Sequence, residues 1–405
     1  VNVLVLLNLF PKNKNKASGI FITKRLKEYR KLGVEYKAVP LAVEDRGISM
    51  KLVRTLLKKP SRIPIESFEG VSFESVFSTR SFIDVFLQKC TSKGRKRVSE
   101  KLTDLFVNEI LKNIHSEYDI IHAHGMYIPA PAGVVAKKLA EIWNTPYIVT
   151  LHGSDINLNM ANGDVRDIYI ETLEKASKCI FVSNALLENA KSFGYSGKNA
   201  VVIPNGYDPE IFKPMDKETV RKELGIYKEG YKYVGFVGNL IPIKRADKLP
   251  KIFHLIHQEI PETFFIVVGD GPLKETVKKR TKDFDILFTG RISQEKVAEY
   301  MNAMDVVILP SRSEGWPCAV LEAQACGTCV VGSNNGGIPE AIGFEECVVK
   351  EGKDFEERFA RRVVEVLKKG YDSSIFLERV KSFAWGKIVI NENEIYKEIM
   401  RDLST

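Results

Sequence analysis

Short apolar runs alternate with amphipathic stretches along the whole 405-residue chain, and this alternation constrains the fold more than any other feature. Strand-length runs separated by helix-length segments are the pattern of parallel α/β layers. In the first half it predicts strands at Val3–Leu7, Ile120–His122, Tyr147–Leu151, Cys179–Val182 and Val201–Ile203. Helices are predicted at Ile20–Leu32, Val98–Ile114, Ala132–Trp143 and Asp167–Ala176. Residues 40 to 80 carry a weaker pattern, expected to include a variable loop or a short helical excursion. Pro204-Asn205-Gly206 closes the series with a turn, and Asp208–Lys213 reads as a connector. A second series runs through Tyr233–Val237, Phe264–Val268, Ile286–Thr289, Val306–Leu309, Val330–Gly332 and Cys347–Val349. A long helical pattern, Phe383–Leu403, ends the chain.

The chain exceeds the usual size of a single core, so two domains are expected. No apolar run approaches the length of a spanning helix, and Val3–Leu7 is too short for the core of a signal peptide. A cytoplasmic location is therefore expected. The net charge of +8 is unevenly placed: residues 51 to 101 hold twelve Lys/Arg against five Asp/Glu. Such a cluster suits an anionic surface, either the inner face of a membrane or a lipid-linked acceptor, and also fits a plain solvated face. No nucleic-acid-binding motif accompanies it, so a nucleic-acid partner is not expected.

Six cysteines in a large chain with no secretory signal do not read as a disulfide framework. Cys326 and Cys329 form a C-x-x-C, but at a predicted helix C-terminus, where the dipole opposes a thiolate. His122-Ala123-His124 puts two imidazoles on one strand face without a third ligand nearby, so no metal site is expected.

The densest chemistry lies in Ser313-Glu314-Gly315-Trp316-Pro317-Cys318-Ala319-Val320-Leu321-Glu322. It follows the apolar run Val306–Leu309, so a strand feeds a loop that opens into a helix. Open α/β sheets hold phosphorylated ligands at such a place. One carboxylate precedes the helix and a second lies on its opening turns. Two hydroxyl-directed acceptors flanking an anion-binding helix end suggest a nucleotide-sugar site.

These residues occur in order with Leu151–Asp155 (LHGSD), Val182–Leu186 (VSNAL), Val202–Asp208 (VIPNGYD), Val237–Lys244 (VGNLIPIK), Val267–Pro272 (VVGDGP), Phe288–Ile292 (FTGRI) and Asn334–Ile342 (NNGGIPEAI). Together they resemble the retaining glycosyltransferases of family 4. That family's α/β architecture is GT-B, two Rossmann-like domains facing each other across a cleft. The resemblance implies an acceptor-binding domain over residues 1–206, completed by a C-terminal helix at 383–405 that crosses back to it. A donor-binding domain over 207–382 is implied as well. It further implies retaining, metal-independent transfer of a sugar from a nucleotide-diphosphate sugar to a glycan or lipid-linked acceptor, with no cofactor. Cell-surface polysaccharide, lipopolysaccharide or glycolipid synthesis is the expected setting.

Residue by residue, Lys244 matches the family's phosphate lysine. Asn239 stands where an arginine is common, and Arg245 where a glycine is common. The turn Gly290-Arg291-Ile292 is expected against the base. Beyond Gly315 and Trp316, the N–H groups of Cys318, Ala319 and Val320 are expected on the diphosphate. Glu314 is expected on the donor sugar's hydroxyls and Glu322 on the ribose. His152 matches the histidine near the donor sugar. Gly19 matches the glycine loop near donor phosphate and acceptor, with Ser18 replacing a second glycine. The expected catalytic residues are thus His152, Lys244 and Glu314. Asp283-Phe284-Asp285 resembles the D-x-D metal clamp of another glycosyltransferase fold, but reads here as a turn.

Two other readings are a nucleotide-sugar epimerase of the same fold and a non-catalytic nucleotide-sugar-binding protein. A nicotinamide-dependent oxidoreductase is disfavoured, since no G-x-G-x-x-G follows Val3–Leu7.

Overall fold

Val3, Leu4, Val5, Leu6 and Leu7 are all fully buried, so the first strand is covered on both faces, as in a parallel sheet between helical layers. The computed structural model describes residues 1–13, 15–16, 18–45 and 64–404. The chain divides into two compact units, Val1–Pro204 with Trp385–Thr405, and Asn205–Ala384.

The first unit contains β1 (Asn2–Leu7), β2 (Glu35–Asp45), the hairpin β3 (Ser67–Phe68) and β4 (Val71–Ser72), and β5 (Val76–Arg80). It continues with β6 (Ile120–His124), β7 (Tyr147–Leu151), β8 (Lys178–Phe181) and β9 (Ala200–Val202). Its main sheet is parallel, in the order β5-β2-β1-β6-β7-β8-β9. Within residues 40–80, where the sequence pattern predicts no strand, β2 occupies 40–45 and β5 occupies 76–80, while 46–63 lie outside the described residues. The apolar run of β2, Ala38–Val43, is broken by Pro40, and β5 mixes polar with apolar residues. Pro40 stands at the last rung of the β1 ladder, just before the β5 ladder starts at Leu41, where a missing N–H is tolerated.

The helix predicted at Val98 begins earlier, at Ser92, and runs to Asn113; Thr91 caps it by accepting a hydrogen bond from the Gly94 N–H. A nine-residue helix, Phe82–Cys90, precedes it and has no counterpart in the sequence reading. The terminal helix Trp385–Ser404 belongs to this first unit and packs on the helix Ile20–Lys31. Buried Arg25 pairs with buried Glu392 at 2.8 Å. Tyr29 donates to Glu392 at 2.5 Å, and Tyr396 donates to Tyr29 at 3.0 Å.

The second unit contains β10 (Lys232–Val237), β11 (Thr263–Val268), β12 (Ile286–Gly290), β13 (Val306–Leu309), β14 (Cys329–Ser333) and β15 (Val348–Val349). They form one parallel sheet in the order β12-β11-β10-β13-β14-β15. This is the Rossmann order 3-2-1-4-5-6, and the first unit's sheet follows it with one strand added. The order reverses between β10 and β13 in one unit, and between β1 and β6 in the other. Loops diverge at these switch points and leave a crevice beyond the strands' C-terminal ends.

Candidate functional site

In the second unit, the two loops flanking the switch point carry the residues singled out from the sequence. After β10 the chain passes Gly238-Asn239 and makes a single tight turn at Pro242–Lys244. After β13 it enters Pro310–Pro317 and then the helix Cys318–Ala325. Arg312 locks these loops together. Its backbone N–H donates to Ile243 O at 2.8 Å, and its guanidinium reaches both carboxylate oxygens of Asp247 at 2.9 and 3.1 Å. Within this frame Lys244 Nζ donates to Glu314 Oε1, and the two side chains are only 22% and 12% exposed.

Glu314 is held from behind by the loop after β14. The Gly337 N–H donates to Glu314 O at 3.0 Å. Gly336 has φ 57°, and a Cβ there would lie 2.1 Å from the same oxygen. Ser333 Oγ and Asn335 Nδ2 both donate to Ser311 O, at 2.6 and 3.0 Å. Asn334 Oδ1 accepts from the Glu351 N–H at 2.8 Å. The sequence reading used Asn334–Gly337 only as a marker of resemblance and missed this supporting role. Two asparagines before two glycines signal a tight turn, but not what the turn abuts.

Trp316 is buried against Phe383, ring centroids 5.8 Å apart. The Val320 N–H already donates to Pro317 O at 3.0 Å, so one of the three N–H groups read at this helix start is engaged within the turn. Glu322 lies half-buried on the second turn. Arg245, at φ 54°, turns inward: its guanidinium lies 3.9 Å from the Phe355 ring centroid and donates to Glu351 at 2.7 Å. Asn239 and Arg291 are exposed and approach to 3.5 Å, with half-exposed Ile292 beside them. The turns after β10, β11 and β12 are packed so closely that a Cβ on Gly269 would lie 2.0 Å from Gly238 O.

Asp283 and Asp285 precede β12, at the other end of the sheet, and Asp285 pairs with Lys228 at 2.7 Å. The C-x-x-C pair is split. Cys326 Sγ points to Ala298 O, and burial pushes its thiol up to about 12. Cys329 Sγ instead lies 3.8 Å from Cys347 Sγ. Among the described residues no group of three His, Cys, Asp or Glu side chains could hold a metal ion.

In the first unit, His152 follows β7. Its backbone N–H and that of Gly153 donate to Asp155, at 3.0 and 2.8 Å. Its Nε2 lies 3.3 Å from His124 Nδ1, and Phe21 packs against its ring at 4.7 Å. His122 stacks on His124 at 4.4 Å, with Nδ1 2.6 Å from the Tyr396 hydroxyl and Nε2 2.7 Å from Thr150 Oγ1. Burial lowers the pKa of His122 to about 3, and lowers those of His124 and His152 well below the ordinary value. All three rings are therefore neutral near pH 7, and His152 presents a neutral imidazole whose Nδ1 has no hydrogen-bond partner. Burial also raises Asp155 and Glu392 above the usual carboxylate range.

At the first unit's own switch point a crevice of about 350 Å³ is lined by Asn8, Phe10 and Lys12 after β1, by Tyr127 after β6, and by Arg80 and Gln88. Asn8 accepts from the Tyr127 and Ala132 N–H groups at 3.1 and 2.8 Å and donates to Ala130 O at 2.7 Å, joining the two loops. Gly19 has φ 68°, and a Cβ there would lie 2.6 Å from Leu9 O. The close approach at Gly19 is thus to the chain's own β1 loop.

The basic cluster is partly neutralised. Arg80 pairs with Asp45 at 2.8 Å, Arg95 with Asp164 at 2.5 Å and Lys101 with Asp84 at 2.8 Å. Lys51, Arg54, Lys58, Lys59 and Arg62 lie outside the described residues. Lys89, Lys93, Lys96 and Arg97 are exposed.

Residues 216–382 match the family model for glycosyl transferases group 1, and residues 92–211 match that for glycosyltransferase family 4. The chain is 28% identical over 348 residues to the putative teichuronic acid biosynthesis glycosyltransferase TuaC of Bacillus subtilis, covering 85% of this chain and 83% of that protein. It is 26% identical to N-acetyl-alpha-D-glucosaminyl L-malate synthase of Bacillus anthracis, over 75% of this chain and 79% of the relative. Among solved structures it is similar to a sucrose-phosphate synthase from Thermosynechococcus elongatus, with TM-score 0.72, 18% identity, and coverage of 99% and 100%. It is also similar to Anabaena HepE in complex with UDP, with TM-score 0.68, 19% identity, and full coverage of both chains.

Proposed function

We propose, for a chain that belongs to the group 1 and family 4 glycosyltransferases of GT-B fold, that the second unit binds the diphosphate of a nucleotide sugar at the β10/β13 switch point. The first unit then binds the acceptor at its own switch point, between Asn8 and Tyr127. The observation that carries this reading is the meeting of Lys244 with Glu314 beside the start of the Cys318–Ala325 helix. A cation, a carboxylate and a helix N-terminus in one crevice are what a departing diphosphate and a sugar hydroxyl need.

In the proposed reaction the bond between the anomeric carbon and the donor's β-phosphate oxygen breaks, and negative charge grows on the diphosphate. Lys244 and the N–H groups at the helix start offset that charge. This takes the place of a metal, so turnover is proposed to be metal-independent. Glu314 accepts from hydroxyls of the transferred sugar and Glu322 from the ribose, while the Arg291-Ile292 turn lies against the base. The neutral His152 hydrogen-bonds a sugar hydroxyl. The acceptor oxygen bonds to the anomeric carbon on the face the diphosphate leaves, and its proton passes to the departing phosphate oxygen, which retains the configuration.

The likeness to TuaC supports a cell-surface polysaccharide as the setting. HepE, whose fold the chain shares, is seen with UDP, which puts uridine donors first for testing. The exposed bases Lys89, Lys93, Lys96 and Arg97 support work at the inner face of an anionic membrane.

A thermal-shift panel of UDP-, GDP- and ADP-sugars, with and without a chelator, tests the reading. A ligand at a hundred times its dissociation constant stabilises by about 2.7 kcal/mol. One nucleotide series should shift the transition irrespective of chelator and be turned over. Binding without transfer or hydrolysis would leave a sugar-binding protein, and no shift with any donor would end the proposal.

A further inference from the structure

The helix Phe82–Cys90 has its amphipathic character inside out. Phe82, Ile83 and Phe86 are 58%, 67% and 58% exposed, whereas its one carboxylate, Asp84, is buried. This orientation is firmly held. Ser81 Oγ accepts from the Asp84 N–H at 3.2 Å, Asp84 Oδ2 accepts from the Ser81 N–H at 2.9 Å, and Lys101 Nζ closes on the same carboxylate at 2.8 Å. At about 100° per residue, Phe82, Ile83, Phe86, Lys89 and Cys90 share roughly a third of the helix circumference. Phe77 on β5 is also 44% exposed, in a groove it shares with Ser81 and Asp84. A surface helix normally turns such residues inward, and a contiguous exposed apolar ridge marks a binding surface.

The charges around the ridge identify the occupant. Residues 85 to 99 contain no Asp or Glu and five Lys/Arg. Arg95 is tied to Asp164, while Lys89, Lys93, Lys96 and Arg97 are exposed. Two copies of the chain meeting through this ridge would set these bases against their own counterparts. An anionic bilayer accepts both parts, apolar side chains at the headgroup–acyl boundary and basic ones on lipid phosphates.

We propose that the Phe82–Cys90 helix docks on an anionic bilayer, inserting Phe82, Ile83 and Phe86 while Lys89, Lys93, Lys96 and Arg97 contact lipid phosphates. This rests on the reading above that transfer takes place at a membrane. It locates the contact in an apolar ridge as well as in charge.

The test is co-sedimentation of the full chain with vesicles of phosphatidylcholine alone or mixed with phosphatidylglycerol. The wild type should bind only the mixed vesicles, more weakly as salt rises. Replacing Phe82, Ile83 and Phe86 by serine should lower binding at least about tenfold without changing the circular dichroism spectrum, since all three are already in solvent. A Lys89→Glu, Lys96→Glu pair should lower it comparably. In Phe86→Trp, tryptophan emission should shift to the blue on mixed vesicles only. Serine variants that bind as the wild type does, equal binding to neutral vesicles, or a concentration-dependent dimer that the serine changes dissolve would each overturn the proposal. Transfer to a water-soluble acceptor should be the same in all variants. If that activity is missing from the wild type, the glycosyltransferase reading fails, and vesicle binding still decides the docking surface.

Discussion

Lys244 donates a hydrogen bond to Glu314 across the switch point of the second sheet, joining two loops seventy positions apart in the chain. Each side chain has lost most of its water, and each keeps its charge compensated by the other. In the proposed reaction an incoming diphosphate would exchange one anion for another at Lys244 and release Glu314 to accept from sugar hydroxyls. Lys244 never has to sit half-buried and unpaired, which would be costly.

The two partners should therefore respond differently to substitution. Lys244→Ala should reduce kcat/KM by about 10- to 150-fold, the equivalent of a charge-assisted contact worth about 1.5–3 kcal/mol. Glu314→Gln should bind the free nucleoside diphosphate at least as well as the wild type, because the competing anion is gone, while kcat falls. Calorimetry with the diphosphate beside steady-state kinetics reads both. Weaker diphosphate binding by Glu314→Gln would contradict the exchange.

Gly336 and Gly370 both have positive φ, 57° and 72°, but different surroundings. A Cβ on Gly370 meets nothing within 4 Å, whereas one on Gly336 strikes Glu314 O. Gly370, with ψ 174°, sits in a backbone region almost restricted to glycine, so Gly370→Ala should destabilise by about 1–3 kcal/mol from strain alone. Gly336→Ala should cost about 1–3 kcal/mol or more and also weaken donor binding by shifting Glu314. Urea titrations of the two variants, with donor affinity measured alongside, make the comparison. Donor affinity unchanged in Gly336→Ala, as in Gly370→Ala, would show that the loop contact is dispensable.

Stability should fall as the pH is lowered below 7. His122, with a pKa of about 3 in the folded chain against 6.5 when exposed, remains neutral, and His124 and His152 are lowered too. The unfolded chain binds these protons first, so the stability they contribute is complete above 6.5 and is lost as the pH falls through the window toward 3. Three such groups give a slope of at most about 4 kcal/mol per pH unit. Raised Asp155 and Glu392 act in the opposite sense and moderate it. His124→Asn, which keeps a donor toward His152, should flatten the slope by about 1.4 kcal/mol per unit. Denaturation midpoints between pH 5 and 7 measure it, and an unchanged slope would remove His124 from the account.

Oxidation should bypass the C-x-x-C. Cys329 and Cys347 hold their sulfurs 3.8 Å apart, and the hydrogen bond between them, with burial, keeps Cys329 protonated. After diamide treatment, peptide mapping should show Cys329 joined to Cys347 or no internal bridge. A Cys326–Cys329 disulfide would mean that the local structure differs from this one.

The strands buried on both faces could be read directly, since Val3–Leu7, Phe264–Val268 and Val306–Leu309 are continuous apolar runs. β2 could not, because Pro40 interrupts its apolar run Ala38–Val43 and argues against a central strand, and its strand form depends on lying between β1 and β5. The helix Phe82–Cys90 was hidden for a related reason: its sequence carries a helical stripe, but the face turned inward is that of Asp84. The histidine series illustrates the same limit. His122 and His124 are two residues apart on one strand, but their neighbours Thr150, His152 and Tyr396 arrive from β7, the loop after it and the terminal helix.

Local pattern alone was enough to set a carboxylate at the end of one apolar strand and a lysine just beyond another, because burial periodicity and turn chemistry act over a few neighbouring residues. The contact between Lys244 and Glu314 depends instead on β10 pairing with β13, and Arg245 faces inward because Glu351 and Phe355 are there to receive it. Those relationships come from which strands lie side by side and how their loops pack. They are set by contacts between distant segments, which no short window of sequence encodes.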